Sequence, residues 1–198
     1  HGLSAESVLT AQTRGLLRIY REFRRLVGPN GYLACESGSD SAARLVDLWE
    51  GSVAGPIEIV RFTHPDQIIV GVVGQPEDAA RCFVYGMPIQ FEYRDEPVLP
   101  EAVRFVRLRR ALREQRAPGY PHGFQDARGV VSAPAGVIAK TYRDESGVTV
   151  CFYSVEKASG TMVIDGALLG HQGIGTRCEE ISLEPMGFDY VILRAENP

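Results

Sequence analysis

The sequence of 198 residues contains no apolar run approaching the ~18 residues that a membrane-spanning helix requires, so no membrane partner is expected. It shows no signal peptide and opens at His1-Gly2-Leu3 rather than at a methionine. The expectation is therefore a chain that has lost a leader, or a piece of a longer one. Charge of one sign is also missing: 21 Lys and Arg oppose 25 Asp and Glu, the net charge is −4, and the two signs are interspersed. That pattern points neither to nucleic acid nor to an anionic surface. The densest basic run, Arg104, Arg107, Arg109, Arg110 and Arg113, shares a predicted helix with Glu101 and Glu114 and reads as a solvated face. Cysteine is scarce, and Cys35, Cys82, Cys151 and Cys178 have no CxxC spacing. Three of them sit in apolar runs and are expected as buried free thiols, which favours a reducing compartment without excluding export. His122 and His171 have no partner at metal-ligand spacing, and neither metal nor cofactor is expected.

What is present is ordinary globular material, 44% hydrophobic and 23% charged, with one stretch around which the chain is organised. In Gly31-Tyr-Leu-Ala-Cys-Glu-Ser-Gly-Ser-Asp40 a short apolar run stops at Glu36, small polar residues follow, and a helical pattern opens near Asp40. The grammar recurs. Pro56-Ile-Glu-Ile-Val-Arg-Phe62 reads as a strand ending at Thr63-His64-Pro65-Asp66, and Arg81-Cys-Phe-Val-Tyr85 as one ending at Gly86-Met-Pro-Ile-Gln90. Strands that each end in polar loop groups point to a barrel-type α/β protein, whose active site sits at the C-terminal ends of the strands.

Ser4 to Val27 is expected as a helix, capped by Ser4 and stopped by Gly28-Pro29, with Leu9, Leu16, Tyr20, Phe23 and Val27 as its apolar stripe. Further helices are expected over 41–50, near 77–80 and over 101–116, the last with Val103, Val106, Ala111 and Leu112 inward. Strands are expected over 32–35, 57–62, 68–73 and 82–85. Ala117-Pro-Gly-Tyr-Pro-His-Gly123 then breaks the pattern and is the best boundary in the chain. Beyond it lie short β-branched or aromatic runs at 137–142, 148–155, 161–164, 181–183 and 190–193, with Asp144-Glu-Ser-Gly147 as a hairpin loop. Val148, Val150 and Phe152 alternate with Thr149, Cys151 and Tyr153, as in a strand between a core and a wetter face. Gly170-His-Gln-Gly-Ile-Gly175 lies between strands and reads as turn chemistry, not a phosphate loop. The fold class is α/β followed by all-β: residues 1–124 as the last strands and helices of a (β/α)8-type barrel, and residues 125–198 as a small antiparallel β-sandwich. Three or four parallel strands do not close a barrel of eight, so the N-terminal remainder of the barrel is an expected partner; the alternative is an open α/β sheet.

This layout resembles the C-terminal end of a glycoside hydrolase of the α-amylase-like type, including its endo-α-N-acetylgalactosaminidase-like relatives. Arg61-Phe-Thr-His-Pro-Asp66 is similar to the segment closing in His-Asp at a late strand of that family, with Pro65 between His64 and Asp66. The resemblance implies a carbohydrate substrate and hydrolysis of O-glycosidic bonds, and it implies that the nucleophile of the family lies further upstream.

Glycoside hydrolysis uses two carboxyl groups across the scissile bond, about 5–5.5 Å apart for retention and about 6.5–9.5 Å for inversion. One of them must be protonated at working pH, so its surroundings must raise its pKa. Glu36 and Asp66 are the candidate catalytic pair, and His64, Asp40 and Gln90 the candidate substrate-binding residues. Each has a simpler reading: a strand-end carboxylate facing water for Glu36, a helix cap for Asp40, turn chemistry for His64 and Asp66. Trp49 is expected in the core rather than against a sugar. A reading from another class is a non-catalytic carbohydrate-binding or accessory protein. That reading needs exposed aromatics, for which the second half offers Tyr142, Phe152, Tyr153, Phe188 and Tyr190.

Overall fold

The structure is a computed structural model that describes residues 4–36, 45–52, 57–64, 67–91, 99–125, 127, 129–169 and 174–195. Its first half is a parallel sheet of β1 (Ala34–Glu36), β2 (Leu48–Ser52), β3 (Ile68–Val73) and β4 (Ile89–Phe91), adjacent in chain order. Among the described residues four helices accompany it: α1 (Ala5–Val27), α2 (Ile57–Thr63), α3 (Pro76–Val84) and α4 (Pro100–Glu114).

α1 follows its sequence signals. Ser4 Oγ accepts the Ser7 N–H at 3.2 Å, and Gly28 takes φ 69, a value that favours glycine, while its N–H reaches Arg24 O at 3.0 Å. α3 is led by Pro76, and the Asp78 carboxylate accepts the N–H groups of Gly74 and Gln75, each at 3.0 Å.

Three expected elements are different. Residues 57–63 form helix α2, not a strand: Ile57 and Arg61 are buried while Ile59 is 60% exposed, which a period of two cannot produce. The run 82–85 is the end of α3 and its cap, because consecutive buried residues suit a helix sunk in a core as well as a strand. The helix expected over 41–50 is replaced at its C-terminal end by β2, which inserts between β1 and β3; residues 41–44 lie outside the described residues. Gln90, expected in a loop, is therefore in β4. The inward face of α4 is Ala102, Phe105 and Leu112, and Val103 and Val106 are exposed.

The second half is two packed antiparallel sheets. One is ordered β11–β8–β7–β5, from β5 (Phe124–Gln125), β7 (Val137–Asp144), β8 (Gly147–Ser154) and β11 (Phe188–Arg194). The other is ordered β10–β9–β6, from β6 (Val131–Ser132), β9 (Ala158–Asp165) and β10 (Thr176–Leu183). They share an apolar layer of Val148, Val150 and Phe152 against Met162, Ile164 and Leu183. The expected wetter face of β8 is not wet. Thr149, Cys151 and Tyr153 are buried, because α3 packs on β8 and β11 from the other side. One core cluster thus runs from Trp49 and Ile69 through Phe83 to Tyr142 and Phe188.

Directed bonds gather at the end of α3, where a helix leaves carbonyls without intrahelical partners, and around residues 117–122, and those of Tyr142 and Thr149 join the two halves. Tyr142 Oη donates to Val84 O at 2.7 Å and Tyr120 Oη to Phe83 O at 3.0 Å. Arg109 Nη1 donates to Met87 O at 2.7 Å, and Thr149 Oγ1 to Pro118 O at 2.8 Å. Buried Arg61 reaches Gln67 O and Pro121 O and lies 5.5 Å from the centre of the Phe124 ring.

Candidate functional site

The site begins with a clamp that sets strand register. Arg24 of α1 donates to Leu45 O at 3.1 Å, to Gly31 O at 3.2 Å and to Asp47 Oδ2 at 2.6 Å. The same carboxylate oxygen accepts the Leu33 N–H at 2.7 Å, and the Asp47 N–H returns to Leu33 O at 2.8 Å. The Leu33 N–H and the Arg24 guanidinium hold the Asp47 carboxyl below its ordinary range. With residues 33 and 47 tied together, Ala34 pairs with Leu48, Cys35 with Trp49 and Glu36 with Glu50.

Alternation then divides the parallel sheet into two faces. Trp49, Ile69 and Val73 turn to the helices and are buried. On the other face β3 presents Ile68, Val70 and Val72, exposed to half-buried, flanked by Glu50 of β2 and Gln90 of β4. Glu50 is the register partner of Val70 and Gln90 of Val72, so both reach over β3. There Gln90 Nε2 donates to Glu50 Oε1 at 2.8 Å. The amide orients one carboxylate oxygen, and Oε2 carries no hydrogen bond among the described residues.

The sequence-based candidates fall unevenly. Glu36 ends β1 and is the register partner of Glu50. Gln90 is on the open face. Asp40 and Asp66 lie outside the described residues. His64 follows α2 and precedes β3, so its segment leads into a strand rather than out of one, with its ring 6.1 Å from that of Trp49 in an edge-on arrangement. Trp49 itself is core, 5% exposed. Glu50 was missed because residues 41–50 read as a helix; the signal available was Asp47 and Gly51 bracketing only three residues, Leu48-Trp-Glu50, too short for a helix. Among the described residues no group of three or more His, Cys, Asp or Glu is arranged to hold a metal. Burial pushes the Cys35 thiol up, with Tyr20 hydrogen-bonded to it. The aromatic platform of a binding module is not on the surface: Tyr142, Phe152, Tyr153 and Phe188 are core, and Tyr190 is half-buried.

No protein-family model matches the chain, and no curated protein matches it. Solved structures do. A cyclic α-maltosyl-(1→6)-maltose hydrolase of Arthrobacter globiformis superimposes with a TM-score of 0.55 at 12% identity, over 90% of this chain and 53% of that one. A GH27 β-L-arabinopyranosidase of Geobacillus stearothermophilus does so with a TM-score of 0.54 at 11% identity, over 88% and 53%. A variant of the latter, in complex with arabinose, gives the same values. The chain spans about half the length of these structures. At such identity the likeness is one of fold alone.

Proposed function

We propose that the chain is the C-terminal part of a glycoside hydrolase, acting on O-glycosidic bonds through carboxylate acid/base chemistry. In this reading residues 1–124 contribute the last strands of a (β/α)8 barrel and residues 125–198 a β-sandwich. A parallel sheet is normally covered on both faces; here helices cover one, and the other bears Glu50 and Gln90. Among the described residues β1 pairs only with β2 and β4 only with β3, so both edges stay open. Leu16, Ile19, Phe23 and Leu26 of α1 are 44%, 50%, 49% and 66% exposed at helical spacing, a stripe suited to a preceding helix of the same barrel.

The observation that carries the reading is the pairing of Glu36 with Glu50 on neighbouring parallel strands. Such partners are about 4.8 Å apart at the backbone, which suits the ~5–5.5 Å carboxyl separation of retaining chemistry. Glu36 is the proposed acid, Glu50 the carboxylate held by Gln90, and the substrate is a carbohydrate, as the fold neighbours' names indicate for those proteins. The test is hydrolysis of aryl glycosides by the protein in its natural full length. Glu50→Gln and Glu36→Gln should each lower kcat by about 10²–10⁴-fold while sugar affinity and the circular dichroism spectrum persist. Full turnover in either variant removes that residue from the reaction. If the unaltered protein binds sugar but never hydrolyses it, the non-catalytic reading takes precedence.

A further inference from the structure

A second concave site shares no residue with the Glu50–Gln90 pair. It is a cleft of about 620 Å³ between α4 and residues 117–122. Its floor is apolar, from Phe105, Leu112 and Tyr120; its rim is cationic, from Arg109, Arg113 and Arg116, with His122 beside them; and among the described residues no carboxylate lines it. A fourth arginine of the lining, Arg110, is engaged by Glu114 at 2.7 Å. In a chain of net charge −4 this is a strong local excess.

Two features separate this rim from an ordinary solvated helix face. Arg109 is immobilised at the back of the cleft: Nη1 donates to Met87 O at 2.7 Å, and the guanidinium sits 5.6 and 5.9 Å from the ring centres of Phe105 and Tyr120. A guanidinium has five N–H donors, so most remain after that bond. Arg116 stands where its backbone resists it. α4 ends in a Schellman motif, with Ala117 N–H on Leu112 O at 2.9 Å and Arg116 N–H on Arg113 O at 3.1 Å, and Arg116 takes φ 50. Glycine is the low-cost residue at that position. An arginine there adds strain, and its side chain contributes no bond to the fold: the side chains of Arg116, Arg113 and His122 have no hydrogen bond or ion pair among the described residues.

We propose that this cleft binds a phosphorylated small molecule, its apolar or ring body on the Tyr120 floor and its phosphate on Arg113, Arg116 and His122. Arginine side chains lining one cleft match a dianion better than a carboxylate, and guanidinium forks match phosphate oxygens in pairs. The volume is that of a small-ligand pocket.

The experiment is calorimetric titration of the full chain with glucose 6-phosphate and with AMP, against glucose, adenosine and inorganic phosphate. At least one ester should bind saturably, about tenfold tighter than inorganic phosphate, and more weakly as salt rises. Which ester binds tells a sugar body from a nucleoside body. The double variant Arg113→Gln with Arg116→Gly should lose about tenfold or more in affinity, while its Tm stays level or rises because glycine relieves the left-handed backbone. Arg113→Gln alone, at an exposed helical position, gives the same reading should the double variant misfold. Absence of saturable binding by both esters overturns the proposal. So does equal affinity of inorganic phosphate, unchanged affinity in the variants, or binding of a polyanion such as heparin alone.

Discussion

Replacing Tyr142 by Phe should cost more than replacing Tyr120 by Phe, although the chemical change is the same. Tyr142 is fully buried, and its ring lies edge-on to Tyr120 at 4.8 Å and to Phe124 at 5.7 Å. Phenylalanine keeps those contacts, so the difference lies in the hydroxyl. The Tyr142 hydroxyl is the donor to Val84 O, the final carbonyl of α3, and among the described residues no backbone donor reaches that oxygen. Removing it buries an unsatisfied carbonyl, at about 1–3 kcal/mol. Phe83 O, which Tyr120 serves, also accepts the Gly86 N–H at 3.1 Å. Tyr120→Phe therefore loses one bond without orphaning its acceptor, at about 0.5–1.5 kcal/mol. For a chain of this size each kcal/mol lowers Tm by about 2–4 °C. Urea unfolding followed by Trp49 fluorescence and by far-UV circular dichroism reads both quantities, since Trp49 is the sole tryptophan and sits in the parallel sheet. Tyr142 lies in β7, so the two signals should move together if the bond joins the halves as described. A cost for Tyr142→Phe equal to or below that of Tyr120→Phe would refute the reasoning. A shift in circular dichroism without one in Trp49 fluorescence would refute the coupling.

Asp47→Asn should destabilise by roughly 1 kcal/mol, discounted for a carboxylate whose side chain is 36% exposed. Its folded pKa is lowered, so its contribution is present above the unfolded value of about 3.9 and is lost as pH falls through the folded value. The unfolding midpoints of wild type and variant should converge in that acid window, and parallel curves would count against the clamp. At alkaline pH the sign reverses. Burial pushes Cys82 up to about 12 and raises Cys151 and Tyr142, so the unfolded chain releases these protons first. Their contribution is complete below the unfolded thiol value of about 8.5 and declines as pH rises toward the folded values; a urea midpoint constant from pH 8 to about 10.5 would contradict their burial. The Glu50→Gln and Glu36→Gln assays and the phosphate-ester titrations stand with their proposals above.

The sequence was legible where local chemistry and burial agree. α1 has its Ser4 cap and Gly28 stop, β3 its β-branched run, and β7 and β8 their Asp144–Gly147 turn, and each appears where those signals put it. It misled where an apolar run is short and buried. Ile57–Thr63 and Arg81–Tyr85 carry β-branched or aromatic residues, yet both belong to helices and their caps. The prolines were the better guide: Pro76 and Pro100 each open a helix. The wetter face of β8 was illegible for another reason. Alternation of Thr149, Cys151 and Tyr153 with larger apolar residues records two environments, but only the tertiary contact with α3 makes the second a core. The stripe on α1 was legible as apolar, but not that Leu16, Phe23 and Val27 are left 44%, 49% and 40% exposed. Glu50 was lost with the helix misread over 41–50, and with it the partner of Gln90.

The location of chemistry follows from where polar groups are already engaged. Around the core, Arg24, Arg61, Arg109, Tyr120, Tyr142 and Thr149 each donate to a main-chain carbonyl at a helix end, a strand entry or a turn. Those bonds hold the ends of elements in place, and removing any one takes a donor from a main-chain carbonyl. Glu50 differs. Its one described partner is a side-chain amide, which fixes a single oxygen and neutralises nothing. Among the described residues no cation pairs with it. In the function proposed above, Glu50 is the carboxylate that acts on the sugar, and it sits on the open face of the parallel sheet.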